Sequence, residues 1–314
     1  MTTLQAGNKI IFLVAPPRSL STAVLRMMGA RGDLILINEP ACSIYNQTRY
    51  PPSKQFYTEQ APGSYAEVKN KILSYAVDNQ VFIKEMSFSF EAFIKAVPEL
   101  MADPNIYFTF LLRDPHPCII SYYKKMQQDT IDFIIEDFDH LTGFPALYNS
   151  FRFVQDNAIN KPCVIHAEQL YNNTKNTVRA FCNQLNISYD DKHLNWRNLG
   201  DTFDGLEVWK ESKKPELTRH WHGEAIVSQN FHEPTHYELD KHGKPAFSEI
   251  ANPVHRSKCV EVYRNSMILH NLISESVIPS ASTSCNIPVI PRHEGPPDIG
   301  TVPLQGDPSC LGTT

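Results

Sequence analysis

The chain has 314 residues, of which 42% are hydrophobic, with seven cysteines and a formal net charge of −5. That apolar content supports a sizeable core in one large or two smaller domains, and the slightly acidic balance excludes a general basic field for nucleic acid. No CxxC pair occurs and no apolar run is long enough to span a bilayer, so the cysteines read as reduced, with neither a disulfide framework nor a zinc site, and Cys118, Cys163 and Cys182 as small core residues.

The first nine residues lack a basic stretch followed by a long apolar one, so the expectation is a cytoplasmic chain without a membrane anchor. Residues 10–15, IIFLVA, are a continuous apolar run of strand length. A polar turn with Arg18, Ser19, Leu20, Ser21 and Thr22 follows, and then apolar residues at helical spacing. A strand, a short loop and a helix N-terminus form an anion-binding geometry. The first-turn amides have no intrahelical acceptor, the peptide dipoles add positive charge, and hydroxyls and a guanidinium stand beside them. The loop is not GxxxxGK[ST], because no Lys precedes the hydroxyls. On these residues alone a simple capped turn is an equal reading.

Residues 34–37, LILI, predict a second strand, which Pro40 ends with Glu39 at its carboxyl end. Residues 46–66 carry Pro51, Pro52, Pro62 and Gly63, and read as a surface loop able to cover a site. The third strand is 81–86, VFIKEM, with Lys84 and Glu85 at its end. A helical segment near 90–102 leads to the fourth strand, 106–112, which ends in Arg113-Asp114-Pro115 and passes into a helix bearing Ser121. Residues 132–159 look mainly helical, 163–167 is a last short strand before Glu168, and Asn173 or Thr174 caps a helix through Leu185.

Strands alternating with helices predict an α/β three-layer sandwich. Its centre is a parallel sheet of four to five strands flanked by helices, and ligands of such sheets sit at the carboxyl ends of the strands. Arg18, Ser19, Glu39, Lys84, Glu85, Arg113 and Glu168 all fall there. Residues 195–275 are less clear, apart from three tryptophans, a His-Trp-His triplet and a helix around 260–272. The expected organisation is a single domain over 1–277 and an extended Pro/Ser/Thr-rich tail over 278–314, although Ile287, Val289 and Ile290 would also suit an ordered arm. His220, His222, His232 and His236 lack a metal-binding motif, and no metal is expected.

With both loops in view, the chain resembles the P-loop-like sulfotransferase family, in the subgroup of mainly bacterial and fungal members. Pro16-Pro-Arg-Ser-Leu-Ser-Thr22 is similar to that family's 5′-phosphosulfate loop in its PRSGST form, with Leu20 in place of the usual Gly. Phe110 through Tyr123 carries Arg113 and Ser121 at the spacing of its 3′-phosphate motif. Weaker similarities are Ile83-Lys-Glu-Met86 to an IK[DT]M segment, Cys182 through Ile187 to a "C..LGI" helix end, and Trp221 through Phe231 to a late Trp…S[TQ]GF region, with Asn230 where Gly is common.

The resemblance implies 3′-phosphoadenosine 5′-phosphosulfate (PAPS) as donor and a hydroxyl or amine of a small molecule, lipid or carbohydrate as acceptor. Arg18, Ser19, Leu20, Ser21 and Thr22 would hold the 5′-phosphosulfate, and Arg113 with Ser121 the 3′-phosphate. Lys84 and Arg18 would stabilise the leaving oxygen. Glu39 is the first choice as base, Glu85 the second and His222 the third. Two other readings stay open. One is an inactive relative that binds a nucleotide or a partner, favoured by Leu20 and Asn230. The other is a nucleotide or nucleoside kinase, disfavoured by the missing Walker Lys. The sequence leaves the oligomeric state open.

Overall fold

The computed structural model describes residues 8–49, 61–128, 134–197, 215–232 and 237–276. Five strands form one sheet, all pairs parallel: β1 (Ile10–Ala15), β2 (Leu34–Asn38), β3 (Gln80–Met86), β4 (Ile106–Leu112) and β5 (Cys163–His166), in the order β2-β3-β1-β4-β5. The expected α/β sandwich is present. β1 is central and every one of its side chains is buried, which is why it reads as an unbroken apolar run rather than an alternating one.

The two-residue period of β1 sorts its side chains between two cores. Ile10, Phe12 and Val14 face one layer, built by α3 (Tyr65–Ala76), α4 (Ser87–Ala96) and α7 (Phe144–Asn157), where Phe12 stacks on Phe108 at 5.5 Å. Ile11, Leu13 and Ala15 face the other, built by α1 (Ser21–Gly29), α8 (Ala167–Asn172), α9 (Thr174–Gln184) and the fully buried Trp196. Each large side chain so buried contributes about 1.5–3 kcal/mol. A smaller third cluster joins α5 (Pro115–Gln128) to Phe138 of the single-turn helix α6 (Phe138–Leu141), to Phe247 and Ile250, and to the long C-terminal α11 (Pro253–Ser276). Among the described residues no helix is long and apolar enough to cross a membrane.

Three expectations need correction. The loop expected over 46–66 is narrower, because α2 (Cys42–Arg49) runs to Arg49 and α3 begins at Tyr65; residues 50–60 lie outside the described ones. The Ser64 hydroxyl accepts the Glu67 amide at 3.2 Å, so Ser64-Tyr-Ala-Glu67 is an S-x-x-E helix start overlooked among the prolines. The helix expected over 90–102 divides at Val97, because Pro98 cannot donate to the preceding turn, and a 3₁₀ segment carries on to Ala102. The final helix is longer than expected, 24 residues. The expected tail, Trp209 and Lys210, Lys213 and Lys214 lie outside the described residues.

One glycine ties this scaffold to the loop after β1. Gly143 starts α7 with φ +75°, accepts the Ser87 hydroxyl at 2.7 Å through its carbonyl, and would bring an added Cβ into collision with that hydroxyl and to 3.3 Å from Pro17. Gly143→Ala is therefore expected to cost about 1–3 kcal/mol. The check is the urea midpoint, and an unchanged midpoint would contradict this packing.

Candidate functional site

β1 lies between β3 and β4, and the chain leaves it towards β2 on one side before β4 is added on the other. The carboxyl ends of β1 and β4 are thus the point where strand order reverses, and a crevice opens there in such sheets. After β1 the loop turns through two non-glycine residues in the left-handed region, Arg18 at φ 64° and Leu20 at φ 72°. Glycine adopts that conformation without strain; Leu20 holds it at a cost of about 1–3 kcal/mol. Its side chain is partly buried against the core that α1 helps to build.

Ser19 is buried and donates its hydroxyl to the Pro16 carbonyl at 2.7 Å, which closes the loop on itself. The helical bonds of α1 begin with Val24 N to Leu20 O at 3.1 Å, so the amides of Ser21, Thr22 and Ala23 have no acceptor within the helix. No acidic residue lies in that first turn to offset the dipole. Anion-binding capacity is concentrated here.

The expectation separated Arg18 from the pair Arg113 and Ser121; the structure joins them. Arg18 donates through Nε to Ser121 Oγ at 2.8 Å and through Nη1 to the Trp221 carbonyl at 2.7 Å, and its Nη2 lies 3.1 Å from Glu224. Arg113, at the end of β4 and only 5% exposed, donates to the Arg18 carbonyl, while its Nε has no hydrogen-bond partner among the described residues. A buried guanidinium N–H without an acceptor is costly, and an anion at this spot would satisfy it. Tyr237 lies beside Ser121 and both arginines, and the Lys124 ammonium sits 5.1 Å from the centre of its ring.

On the next strands, Lys84 and Glu85 point to opposite faces, as neighbours on a strand must. Lys84 lies on the α1 face, is fully buried, and pairs with Glu39, which follows β2 at φ 52°. Burial pushes the Glu39 carboxyl up, but the Lys84 ammonium and His222 outweigh it and hold it below the ordinary range. His222 belongs to α10 (Pro215–Val227). Its Nδ1 lies 3.1 Å from Thr22 Oγ1 and its Nε2 4.0 Å from Glu39, and burial followed by Lys84 holds its pKa at about 4, so the ring is neutral near pH 7.

Glu85 is on the opposite face. It is 1% exposed and accepts from Ala41 N at 2.7 Å, Met86 N at 2.9 Å, Ser89 Oγ at 2.7 Å and Cys42 Sγ at 3.2 Å. Burial raises its pKa to about 7. Of the three candidate bases, Glu39 and His222 share a face with Lys84, whereas Glu85 does not. Glu168 follows β5 at the same sheet end, as expected, and accepts the Asp114 amide beyond β4 at 2.9 Å.

Sequence reasoning missed Tyr237, Glu224 and the Trp221 carbonyl. All three come from the stretch with the weakest periodicity, and a backbone carbonyl has no sequence signal.

No protein-family model matches the chain, and no curated protein sequence matches it. Its layout is similar to that of solved structures. A sulfotransferase from Alicyclobacillus acidocaldarius superposes with a TM-score of 0.48 at 12% identity, over 86% of this chain and 97% of that one. The sulfotransferase domain of the curacin biosynthetic pathway gives 0.47 at 14% identity, over 82% and 97%. A mouse sulfotransferase, SULT7A1, complexed with PAP gives 0.45 at 12% identity, over 87% and 89%.

The Glu85 carboxyl sets a pH dependence of stability. Its folded pKa lies above that of an unfolded carboxyl, so its contribution is fully present below the unfolded value and is lost as pH rises through about 7. Urea unfolding at about pH 5 and about pH 8 should show the wild type losing roughly 1–3 kcal/mol relative to Glu85→Gln. Parallel pH profiles would contradict the assignment.

Proposed function

We propose that the chain is a PAPS-dependent sulfotransferase acting on a hydroxyl or amine of a small molecule, lipid or carbohydrate. The observation that carries this reading is Arg113: buried, with an Nε that has no partner among the described residues, beside the positive end of α1 at the sheet's switch point. The two loop motifs that meet there are the ones on which the sequence resemblance rests.

The residues present fit the donor's charge. The amides of Ser21, Thr22 and Ala23, with the Thr22 hydroxyl, would hold the 5′-phosphosulfate, and Arg113, Ser121 and Arg18 the 3′-phosphate, which distinguishes this nucleotide from ATP. Ser19 and Leu20 contribute loop shape rather than side-chain contacts. When bound, PAPS supplies a sulfuryl group on an anhydride whose bridging oxygen becomes negative as the nucleotide leaves. Lys84, buried and cationic, stabilises charge at such an oxygen in a low-dielectric setting.

Glu39 takes the acceptor's proton. Its pairing with Lys84 keeps it ionised at neutral pH, which is the form a base needs, but also makes it weakly basic. A second anion beside Lys84 divides that lysine's attraction and raises the basicity of Glu39. His222, neutral and bonded to Thr22, links the first turn of α1 to the base. Partial burial of Leu20 against the core beside α1 supports an open loop, whereas Leu20 and Asn230 remain the features that an inactive relative would explain.

Turnover of PAPS with a panel of hydroxyl and amine acceptors, followed by chromatographic detection of released PAP, tests the proposal. Glu39→Gln should lower the rate by about 10²–10⁴ and leave PAP affinity within a few-fold. Undiminished transfer by Glu39→Gln would remove Glu39 from the chemistry. PAP binding without turnover of any acceptor would favour the inactive reading, and phosphoryl transfer from ATP without response to PAPS would favour the kinase.

A further inference from the structure

The β2–α2 turn that carries Glu39 is gripped from both faces of the sheet by two consecutive residues of β3. On the α1 face, Lys84 holds the Glu39 carboxylate, and its carbonyl accepts the Glu39 amide at 2.7 Å. On the other face, the Glu85 carboxylate holds the backbone just beyond. Its Oε2 accepts the Ala41 amide at 2.7 Å and its Oε1 the Cys42 thiol at 3.2 Å. Oε1 also accepts from Met86 N at 2.9 Å and Ser89 Oγ at 2.7 Å, which anchors the carboxylate to the start of α4.

The turn needs such a grip. Glu39 sits at φ 52°, a left-handed conformation that costs a non-glycine residue free energy and persists only where surrounding contacts over-determine it. Pro40 gives the turn no amide of its own to donate, so the Ala41 amide is the first beyond Glu39 that can be tied down. A carboxylate is the acceptor suited to several converging donors, because each of its oxygens takes more than one.

We propose that Glu85 is a positioning residue for the base: through the Ala41 amide and the Cys42 thiol it fixes the left-handed turn that presents Glu39 to Lys84. The inference rests on the reading of Glu39 as the base. Glu85 itself is buried on the face away from Lys84 and does not meet an acceptor on the α1 side. The charged and titratable groups around it are Glu39, Cys42 and Tyr65, so among the described residues no cation on its own face offsets its burial. Its converging donors hold the carboxyl group in place whether it is neutral or ionised.

The test uses the full chain with Glu85→Gln, Ser89→Ala, Glu39→Gln and the Glu39→Gln/Glu85→Gln double variant. Glu85→Gln keeps the side-chain shape but turns an N–H towards donors that need an acceptor. It should lower kcat by roughly ten- to a hundredfold and leave PAP affinity within about twofold. In the double variant the rate should be no lower than in Glu39→Gln alone, because both changes act through one group. Multiplying losses, or unchanged kcat in a folded Glu85→Gln protein, would overturn the proposal. So would a protein in which Glu85→Gln is inactive while Glu39→Gln is not, because Glu85 would then be the base.

A second readout does not depend on turnover. Carboxyl-carbon NMR should show Glu39 titrating below the ordinary range in the wild type and moving up in Glu85→Gln, as Glu39 slips from Lys84. Ser89→Ala, which removes one donor and keeps the carboxylate, should move it in the same direction by less. A shift of Glu39 in a protein that turns over no acceptor would uphold the positioning and fail the transferase reading. An unmoved Glu39 in both folded variants would overturn the positioning whatever the enzyme does.

Discussion

An ammonium buried at the carboxyl end of a central strand has to be neutralised, and in this protein that requirement shapes the site. Lys84 is enclosed among the residues of the α1 layer, with Glu39 as its carboxylate partner. Removing one member of a buried pair typically costs about 3–5 kcal/mol, because the other charge is left uncompensated. Replacing both by apolar residues often costs nothing, so such a pair is seldom retained for stability. Here it holds Glu39 in a left-handed turn, beside His222 and within reach of the first turn of α1.

The rest of the fold places cationic groups around that pair. A parallel sheet with β1 at its centre directs two loops, those after β1 and β4, into the same crevice. The first contributes a helix start whose amides have no acceptor within the helix, and the second a buried guanidinium with one N–H unmatched among the described residues. The two loops are joined directly, Arg113 to the Arg18 carbonyl and Arg18 to Ser121, so a change at either loop is felt at the other. Helix α10 completes the arrangement through Trp221, His222 and Glu224, each of which meets a residue of the α1 loop or its first turn.

Much of this was legible in the residues. The strands are short apolar runs ended by charged or turn-forming residues, and buried parallel strands have that form. The polar residues at their ends were therefore identifiable before any coordinates. The two-residue period separates Lys84 from Glu85, but the ranking of Glu39 above Glu85 as base rested on the resemblance, and only the fold shows that Glu39 shares the Lys84 face. What could not be read was of two kinds. Helices α2 and α3 flank prolines that made the whole stretch look like a loop, although Ser64 and Glu67 form a helix start within it. The contacts of α10 and Tyr237 with Arg18 and Ser121 join positions about a hundred or more residues apart, and no local pattern encodes such pairings. The left-handed Arg18, Leu20 and Glu39 are similar: nothing in a non-glycine residue announces that tertiary contacts will hold it at positive φ.

The central claim is that the crevice between β1 and β4 binds a nucleotide through a phosphate that ATP and AMP lack. Calorimetric titration with 3′-phosphoadenosine 5′-phosphate beside AMP and ATP, on wild type and Arg113→Ala, tests it most directly. The account predicts binding that requires the 3′-phosphate and weakens by about ten- to a hundredfold in the variant, the loss expected for one charge-assisted contact. Equal affinity for AMP, or binding indifferent to Arg113, would contradict it.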